Sequence, residues 1–121
     1  MEEQLSNLAN SINPQTFLVG IIFSITAAVV YFFPPKKINN LYGYRTSSST
    51  RSQEAWDFSQ RFSAIKMIQI GLFLFASSFI NILVPMSQKK SVTTGTILII
   101  IACVYLIWST EMALKKQFPN E

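Results

Sequence analysis

Long apolar stretches without charge alternate with short polar segments along this chain. The first stretch, residues 14–33, is uncharged and would be about 30 Å long as a helix, which matches the hydrocarbon core of a bilayer. Asn13 can cap this helix with Pro14 at its first position, and Pro34-Pro35 would end it. The pattern therefore predicts a first transmembrane helix over residues 14–33.

Two further apolar stretches predict two more transmembrane helices. The second covers residues 65–86, where Pro85 and a polar run end it. The third covers residues 93–110, and its centre is so rich in β-branched residues that it would favour a strand in a soluble protein. An isolated strand in lipid leaves its backbone groups without hydrogen bonds, so a helix is favoured.

The segments outside these spans have different patterns. Residues 1–12 carry apolar side chains at helical spacing among polar ones, which is typical of a helix lying at the membrane interface. Residues 34–64 form a long loop, and Thr50 with Gln53 three residues later predicts a helix start inside it. Residues 111–121 form a polar tail.

The predicted fold class is therefore an all-α membrane protein with one membrane domain over residues 1–121. It has three transmembrane helices, an amino-terminal interfacial helix, and a partly helical loop between helices one and two. Half of the residues are hydrophobic and 13% are charged. Soluble domains carry about 25% charged residues, so a water-soluble fold of this size would lack polar surface.

Charge and cysteine content restrict the function further. The formal net charge of +4 does not indicate nucleic acid, because the basic residues stand beside the apolar stretches. The chain has no histidine and one cysteine, Cys103, within the third span. An internal disulfide and the usual zinc or haem sites are thereby excluded, and we expect no metal and no cofactor.

The distribution of Lys and Arg predicts the orientation in the membrane. Five lie between helices one and two and a sixth, Lys66, at the adjoining edge of helix two; two lie between helices two and three, two after helix three, and none before helix one. Because cytoplasmic loops carry the excess of positive charge, the long loop and the carboxyl terminus are expected to be cytoplasmic. The amino terminus is then outside.

Polar and small residues inside the spans suggest helix contacts. Four polar residues of helix two share one face with Phe73, within an arc of roughly 120°. This polar stripe consists of Lys66, Gln69, Ser77 and Asn81. It would either bond neighbouring helices or line a polar groove for a substrate. A row of small residues on helix one would allow close approach within the bundle or in a homodimer: Gly20, Ser24 and Ala28.

The long loop combines aromatic and basic residues around Gly43, in the segment KKINNLYGYRT. Arg45 could bind a phosphate or carboxylate, stack on Trp56, or clamp the loop by pairing with Glu54 or Asp57. Trp56 could be an interface anchor, a platform for a ligand, or a side chain that clamps the loop by packing on the preceding turn. The glycine suggests a turn with an unusual backbone angle.

These residues carry a resemblance to the SdpI family of bacterial membrane proteins. The matching positions are Pro35, Asn39, Tyr42-Gly43-Tyr44-Arg45-Thr46 and Glu54-Ala55-Trp56. The resemblance is close over residues 34–62 and extends to the flanking spans in hydropathy only. Many members have proline after the Arg-Thr pair, where this chain has Ser47. The founding member is longer, with additional spans before the signature.

The resemblance implies immunity to a secreted peptide toxin, in a bacterial plasma membrane. The founding member also sequesters a transcriptional repressor at the membrane. Besides the lipid bilayer, the expected partner is therefore a peptide toxin, a cytoplasmic regulator or an anionic lipid headgroup. The candidate binding residues are Asn39, Tyr42, Gly43, Tyr44, Arg45, Thr46, Glu54 and Trp56.

An enzyme is not expected, and no residue is predicted to be catalytic. The only carboxylates of the loop are Glu54 and Asp57, and arginine with tyrosine makes a poor acid–base pair at neutral pH. The alternative function is a small transporter or channel subunit that uses the polar stripe of helix two. A homo-oligomer is compatible with either function.

Overall fold

The computed structural model describes residues 1–119, and every regular element in that range is a helix. The helices are α1 (Glu2–Asn10), α2 (Pro14–Phe32), α3 (Gln53–Ser77), α4 (Ile80–Leu83) and α5 (Gln88–Gln117). Three segments are long and apolar enough to cross a membrane: α2, α3 together with α4, and α5. The prediction of an all-α membrane protein with three spans is confirmed.

Helix α2 begins as its sequence predicts. The Asn13 side-chain oxygen accepts hydrogen bonds from the backbone N–H groups of Gln15 at 3.1 Å and Thr16 at 3.3 Å. Pro14 occupies the first turn, where no N–H partner is needed. The helix ends at Phe32, before the two prolines.

Helix α3 begins at Gln53, well before the predicted second span. Its N-cap is Ser52, whose hydroxyl accepts a hydrogen bond from Ala55 N–H at 3.0 Å. The predicted cap at Thr50 is wrong, because that hydroxyl donates to the Thr46 carbonyl at 2.8 Å inside the preceding turn. The helical part of the loop and the second span are thus one continuous helix.

The second span is interrupted near its far end, at residues 78–79. The α3 helix ends at Ser77, and the buried Ser78 donates its hydroxyl to the Phe75 carbonyl at 2.5 Å. Only the short helix α4 follows before Pro85. Helix α5 is capped by Ser87 and continues to Gln117, beyond the predicted span on both sides.

Small residues bring α2 and α3 together. A Cβ atom on Gly20 would lie 2.6 Å from the backbone nitrogen of Phe75, and one on Gly71 would lie 2.6 Å from Ser24 Oγ. Neither position has room for a side chain. The small residues Gly20 and Ser24 of helix one therefore serve packing within the chain. Beside this crossing lies the apolar core, formed by Ile70, Leu74 and Ala102 with Val19 and Phe23 packed on it.

Side-chain hydrogen bonds join the three spans at the end where α2 begins. The Asn13 amide donates to the Ser91 carbonyl at 2.9 Å, and Asn13 N–H donates to the Ser78 carbonyl at 2.8 Å. Asn13 thereby links α2 both to the end of α3 and to α5. Helix α1 precedes this point, buries none of its residues, and leaves Leu5 and Leu8 exposed. Its position at a membrane interface stays a prediction.

Candidate functional site

Residues 33–52, named here the signature loop, connect α2 to α3. They lie at the loop end of the bundle, defined as the end where α2 and α5 finish and α3 begins. Asn39 orders the first turn: its side-chain oxygen accepts from the N–H groups of Leu41 at 2.9 Å and Tyr42 at 2.8 Å. Its amide donates to the Lys37 carbonyl at 3.0 Å. Its polar atoms are thus engaged with the backbone.

Tyr42 ties the loop to the end of α2. Its hydroxyl donates to the Phe33 carbonyl at 2.6 Å. Carbonyl groups at a helix C-terminus have no partner within the helix, so a side-chain donor at this point is stabilising. Tyr42 is half-buried and its hydroxyl is already committed.

Trp56 is completely buried at the start of α3. Its indole N–H donates to the carbonyl of Pro35, itself buried, at 2.6 Å. A ring without exposed surface cannot stack on a ligand and cannot anchor the chain in the headgroup region. The interface anchor and the ligand platform are therefore wrong for this residue, and the remaining alternative, a side chain that clamps the loop on α3, agrees with its contacts.

Gln60 provides the strongest attachment of the loop. Its buried amide donates to the Tyr44 carbonyl at 2.7 Å and accepts from the Tyr44 N–H at 2.7 Å, so both backbone groups of residue 44 are paired. Gly43, at φ +102°, has the backbone conformation that L side chains rarely adopt. A Cβ atom there would overlap Gln60 Oε1 and lie 2.7 Å from Pro35 Cγ.

Gln60 is not among the site residues predicted from the sequence. One signal was present: Gln60 lies four residues after Trp56, so both stand on the same helical face. A buried amide next to a buried indole is a common way to fix a loop, because each side chain carries hydrogen-bonding groups that need partners.

Glu111 of α5 joins the loop to the third span. Glu111 Oε2 accepts hydrogen bonds from the Tyr44 hydroxyl at 3.2 Å and from the Thr46 hydroxyl at 3.1 Å. Burial, followed by the Glu111 charge and hydrogen bond, raises the pKa of the Tyr44 phenol well above its ordinary value. Glu111 was also missed, although it is the only Asp or Glu between Asp57 and Glu121.

The turn after the Arg-Thr pair is closed by hydroxyl groups. Thr46 N–H donates to Ser49 Oγ at 2.8 Å, and Ser49 N–H donates to Thr46 Oγ1 at 3.2 Å. Ser49 is fully buried, whereas Ser47 is exposed. The serine that replaces the proline of many relatives therefore stands where its side chain is not needed for the turn.

Arg45 differs from its neighbours in the loop. Its side chain is exposed and makes no hydrogen bond or ion pair with any of residues 1–119. It does not pair with Glu54 or Asp57, and it does not stack on the buried Trp56. The prediction that Arg45 clamps the loop is therefore wrong for the described chain. Glu54 is exposed in the first turn of α3, where a negative charge suits the helix dipole.

The polar stripe predicted on helix two does not form one groove. Gln69 and Phe73 are exposed, while Ser77 donates to the Leu74 carbonyl of its own helix at 2.8 Å. Lys66 lies 5.7 Å from the ring centroids of Phe62 and Tyr105. Asn81 lies beyond the interruption at residues 78–79 and donates to Ser91 Oγ at 2.8 Å. The four polar side chains thus have separate surroundings.

Within residues 1–119, no group of three or more His, Cys, Asp or Glu side chains could hold a metal ion. The site therefore consists of a loop fixed by Trp56, Gln60 and Glu111, with one unpartnered guanidinium at its surface. Such an arrangement can bind an anionic group.

Comparison with known proteins gives two matches. The model of the SdpI/YfhL protein family matches residues 36–110, which include most of the signature loop, all of α3 and most of α5. The chain is also similar to the protein YfhL of Bacillus subtilis (strain 168), described as uncharacterized. The two are 34% identical over 96 residues, covering 79% of this chain and 82% of that protein. No solved structure matches.

Proposed function

The chain belongs to the SdpI/YfhL protein family, and on this premise we propose that it is a membrane protein conferring immunity to a secreted peptide toxin. Binding occurs at the signature loop, where Arg45 receives a carboxylate of a peptide or protein partner. The host is a bacterium and the membrane its plasma membrane. The loop faces the cytoplasm, which is supported by its four basic residues, Lys36, Lys37, Arg45 and Arg51.

One observation carries this proposal: Arg45 is exposed and unpaired with residues 1–119, between two residues whose side chains are hydrogen-bonded. The residues on either side of it, Tyr44 and Thr46, are both bonded to Glu111. The backbone under Arg45 is therefore held before any partner arrives. A guanidinium binds carboxylates through two parallel hydrogen bonds, and preorganisation reduces the entropy lost on binding.

Binding rather than catalysis is supported by the state of the tyrosine beside Arg45. Burial and the Glu111 charge raise the pKa of Tyr44, so its phenol keeps its proton at neutral pH. A protonated phenol that donates to a carboxylate is not available as a general base. Glu111 in turn already accepts two hydrogen bonds.

The test is a resistance assay in a bacterial strain lacking its own members of this family. Cells expressing the chain are challenged with a panel of secreted peptide toxins, and growth is compared with cells carrying an empty vector. We expect resistance to at least one toxin, a strong loss of resistance for Arg45→Ala, and partial retention for Arg45→Lys, which keeps the charge without the planar fork. Lys116→Gln, an exposed cation at the same end of the bundle, is the matched control.

Membrane abundance of each variant is measured by immunoblotting, because a degraded protein would also lose resistance. If no toxin of the panel distinguishes expressing cells from control cells, the immunity proposal is wrong. If Arg45→Ala is as resistant as the parent chain, immunity stands but the loop is not its binding site.

A further inference from the structure

A second site lies beside the signature loop, in a cleft between the end of α2 and the first turns of α3. The cleft has a volume of about 480 Å³. We name its apolar lining residues, Val30, Tyr31, Pro34 and Pro35, the apolar side, and its charged ones, which include Lys36 and Arg61, the polar side. We infer that this cleft binds an anionic phospholipid, with the lipid phosphate between the two cations. Arg45 does not line it, so the inference does not rest on the proposed function.

The apolar side of the cleft is continuous with the membrane-spanning surface. Val30 and Tyr31 belong to the last turns of α2, and the next two residues, Phe32 and Phe33, are 70% and 74% exposed. Large exposed aromatic side chains at the end of a span are typical of the boundary between hydrocarbon and headgroups. The cleft therefore opens at the depth where phospholipid headgroups lie.

The polar side of the cleft carries an excess of positive charge. Lys36 and Arg61 are exposed, and neither side chain makes a hydrogen bond or ion pair with any of residues 1–119. The carboxylate of the cleft, Asp57, already accepts a hydrogen bond from Gln53 Nε2 at 2.8 Å. The lining thus contains two cations and one carboxylate, and that carboxylate already accepts a hydrogen bond. The resulting excess of positive charge suits a bound anion.

The amide of Gln53 also fixes the floor of the cleft. Besides Asp57, it donates to the Lys36 carbonyl at 2.6 Å, so the backbone that carries Lys36 is attached to the first turn of α3. Arg61 lies two turns further along the same helix. The two cations therefore project from a connected frame, and phosphate is the anion that such paired basic groups bind in proteins.

A phospholipid fits both sides of the cleft, whereas a soluble phosphate fits one. The lipid phosphate would face Lys36 and Arg61, while its glycerol and first methylene groups would cover Val30 and Tyr31. The cleft volume lies within the range of small-molecule sites, about 300–1,000 Å³. Basic pockets between helices near a membrane surface are suited to anionic headgroups.

The test is native mass spectrometry of the full chain purified in detergent. The protein is titrated with phosphatidylglycerol and, separately, with phosphatidylcholine of the same acyl chains. We expect one phosphatidylglycerol to be retained more tightly than phosphatidylcholine, and Arg61→Gln to weaken its retention about tenfold, corresponding to the loss of one charge-assisted hydrogen bond. Lys36→Gln should weaken retention in the same direction, and Lys116→Gln should leave it unchanged.

Four results would overturn the inference. The first is equal retention of the two lipids by the parent chain, and the second is full retention by both Arg61→Gln and Lys36→Gln. The third is an equal loss in Lys116→Gln, which would indicate diffuse attraction by net charge. Displacement of phosphatidylglycerol by millimolar inorganic phosphate would assign the cleft to a soluble phosphate compound and likewise reject the lipid. Circular dichroism of each variant verifies that its helices are intact.

Discussion

At the scale of single residues, Gly43 is a position that tolerates no other side chain without strain. Its φ of +102° disfavours any L side chain, and a Cβ atom would overlap Gln60 Oε1. We expect Gly43→Ala to lower the free energy of unfolding by about 1–3 kcal/mol, measured by denaturation in mixed micelles. Ser47→Ala, in the exposed part of the same loop, should change it by less than about 0.5 kcal/mol. Equal stability of the two variants would contradict this view of the turn.

Tyr44 should make stability depend on alkaline pH. Burial and Glu111 raise the pKa of its phenol above the ordinary value of 10.0, so the folded state holds the proton more tightly than the unfolded state. This contribution is fully present below pH 10.0 and is lost as the pH rises from there towards the pKa of the folded state. Unfolding measured at a series of pH values from neutral upward should therefore show a decline that Tyr44→Phe reduces. An identical decline in both proteins would refute it.

Which residues mattered in the loop could be predicted only in part. The composition of the segment pointed to Tyr44, Arg45 and Trp56, but not to what each contacts. Gln60 and Glu111 are 16 and 67 residues away from Tyr44, and no local spacing rule relates positions so far apart. Pairing of Arg45 inside the chain was one of its predicted alternatives, because Glu54 and Asp57 stand nearby in sequence. The loop instead turns around Gly43 and directs Tyr44, not Arg45, towards α5.

At the scale of helices, the contact between α2 and α3 depends on two glycines facing neighbouring backbone. A Cβ on Gly71 would lie 2.8 Å from the backbone nitrogen of Ser24, so a larger residue must push the helices apart. We expect Gly71→Val to destabilise the protein by about 1–3 kcal/mol. Leu72→Val, next to it on the exposed side of α3, should have little effect. Matching losses for the two variants, measured by denaturation in mixed micelles, would rule out the close contact.

Hydropathy predicts the presence of the three spans correctly, but not the residues at which their helices begin and end. The first turns of α3, from Gln53 to Arg61, contain charged and polar residues, so the length of the apolar stretch does not include them. They are nevertheless helical, with Ser52 as the N-cap. The polar stripe was drawn on an uninterrupted helix through Asn81. The helix is interrupted after Ser77, and beyond this point Asn81 is buried and bonded to Ser91. Packing of Gly71 and Leu74 against α2 leaves Gln69 towards the outside. The neighbouring helices decide which side of a helix packs inward, and the sequence of one helix does not reveal where its neighbours lie.

At the scale of the whole molecule, α5 is attached to the rest of the bundle at both ends. Asn13 donates to the Ser91 carbonyl at one end, and Glu111 accepts from Tyr44 and Thr46 at the other. Glu111→Ala should release the loop end alone. We expect faster amide hydrogen exchange over residues 44–50 and unchanged exchange over residues 14–30, because the Asn13 link is intact. Acceleration of both regions to the same extent would show that the two ends do not behave separately.

The pairing of Gln60 with residue 44 has a consequence for sequence variation. Gln60 binds a main-chain N–H and a main-chain carbonyl, which nearly every amino acid possesses, whereas Glu111 binds a phenol that only tyrosine supplies. The two attachments at one position therefore obey different rules of substitution. A replacement of Tyr44 removes one of the bonds between the loop and α5, while Thr46 still donates to Glu111 and Arg51 to the Phe118 carbonyl. The loop stays seated on α3, so relatives can vary how firmly their third span is attached by changing a single side chain.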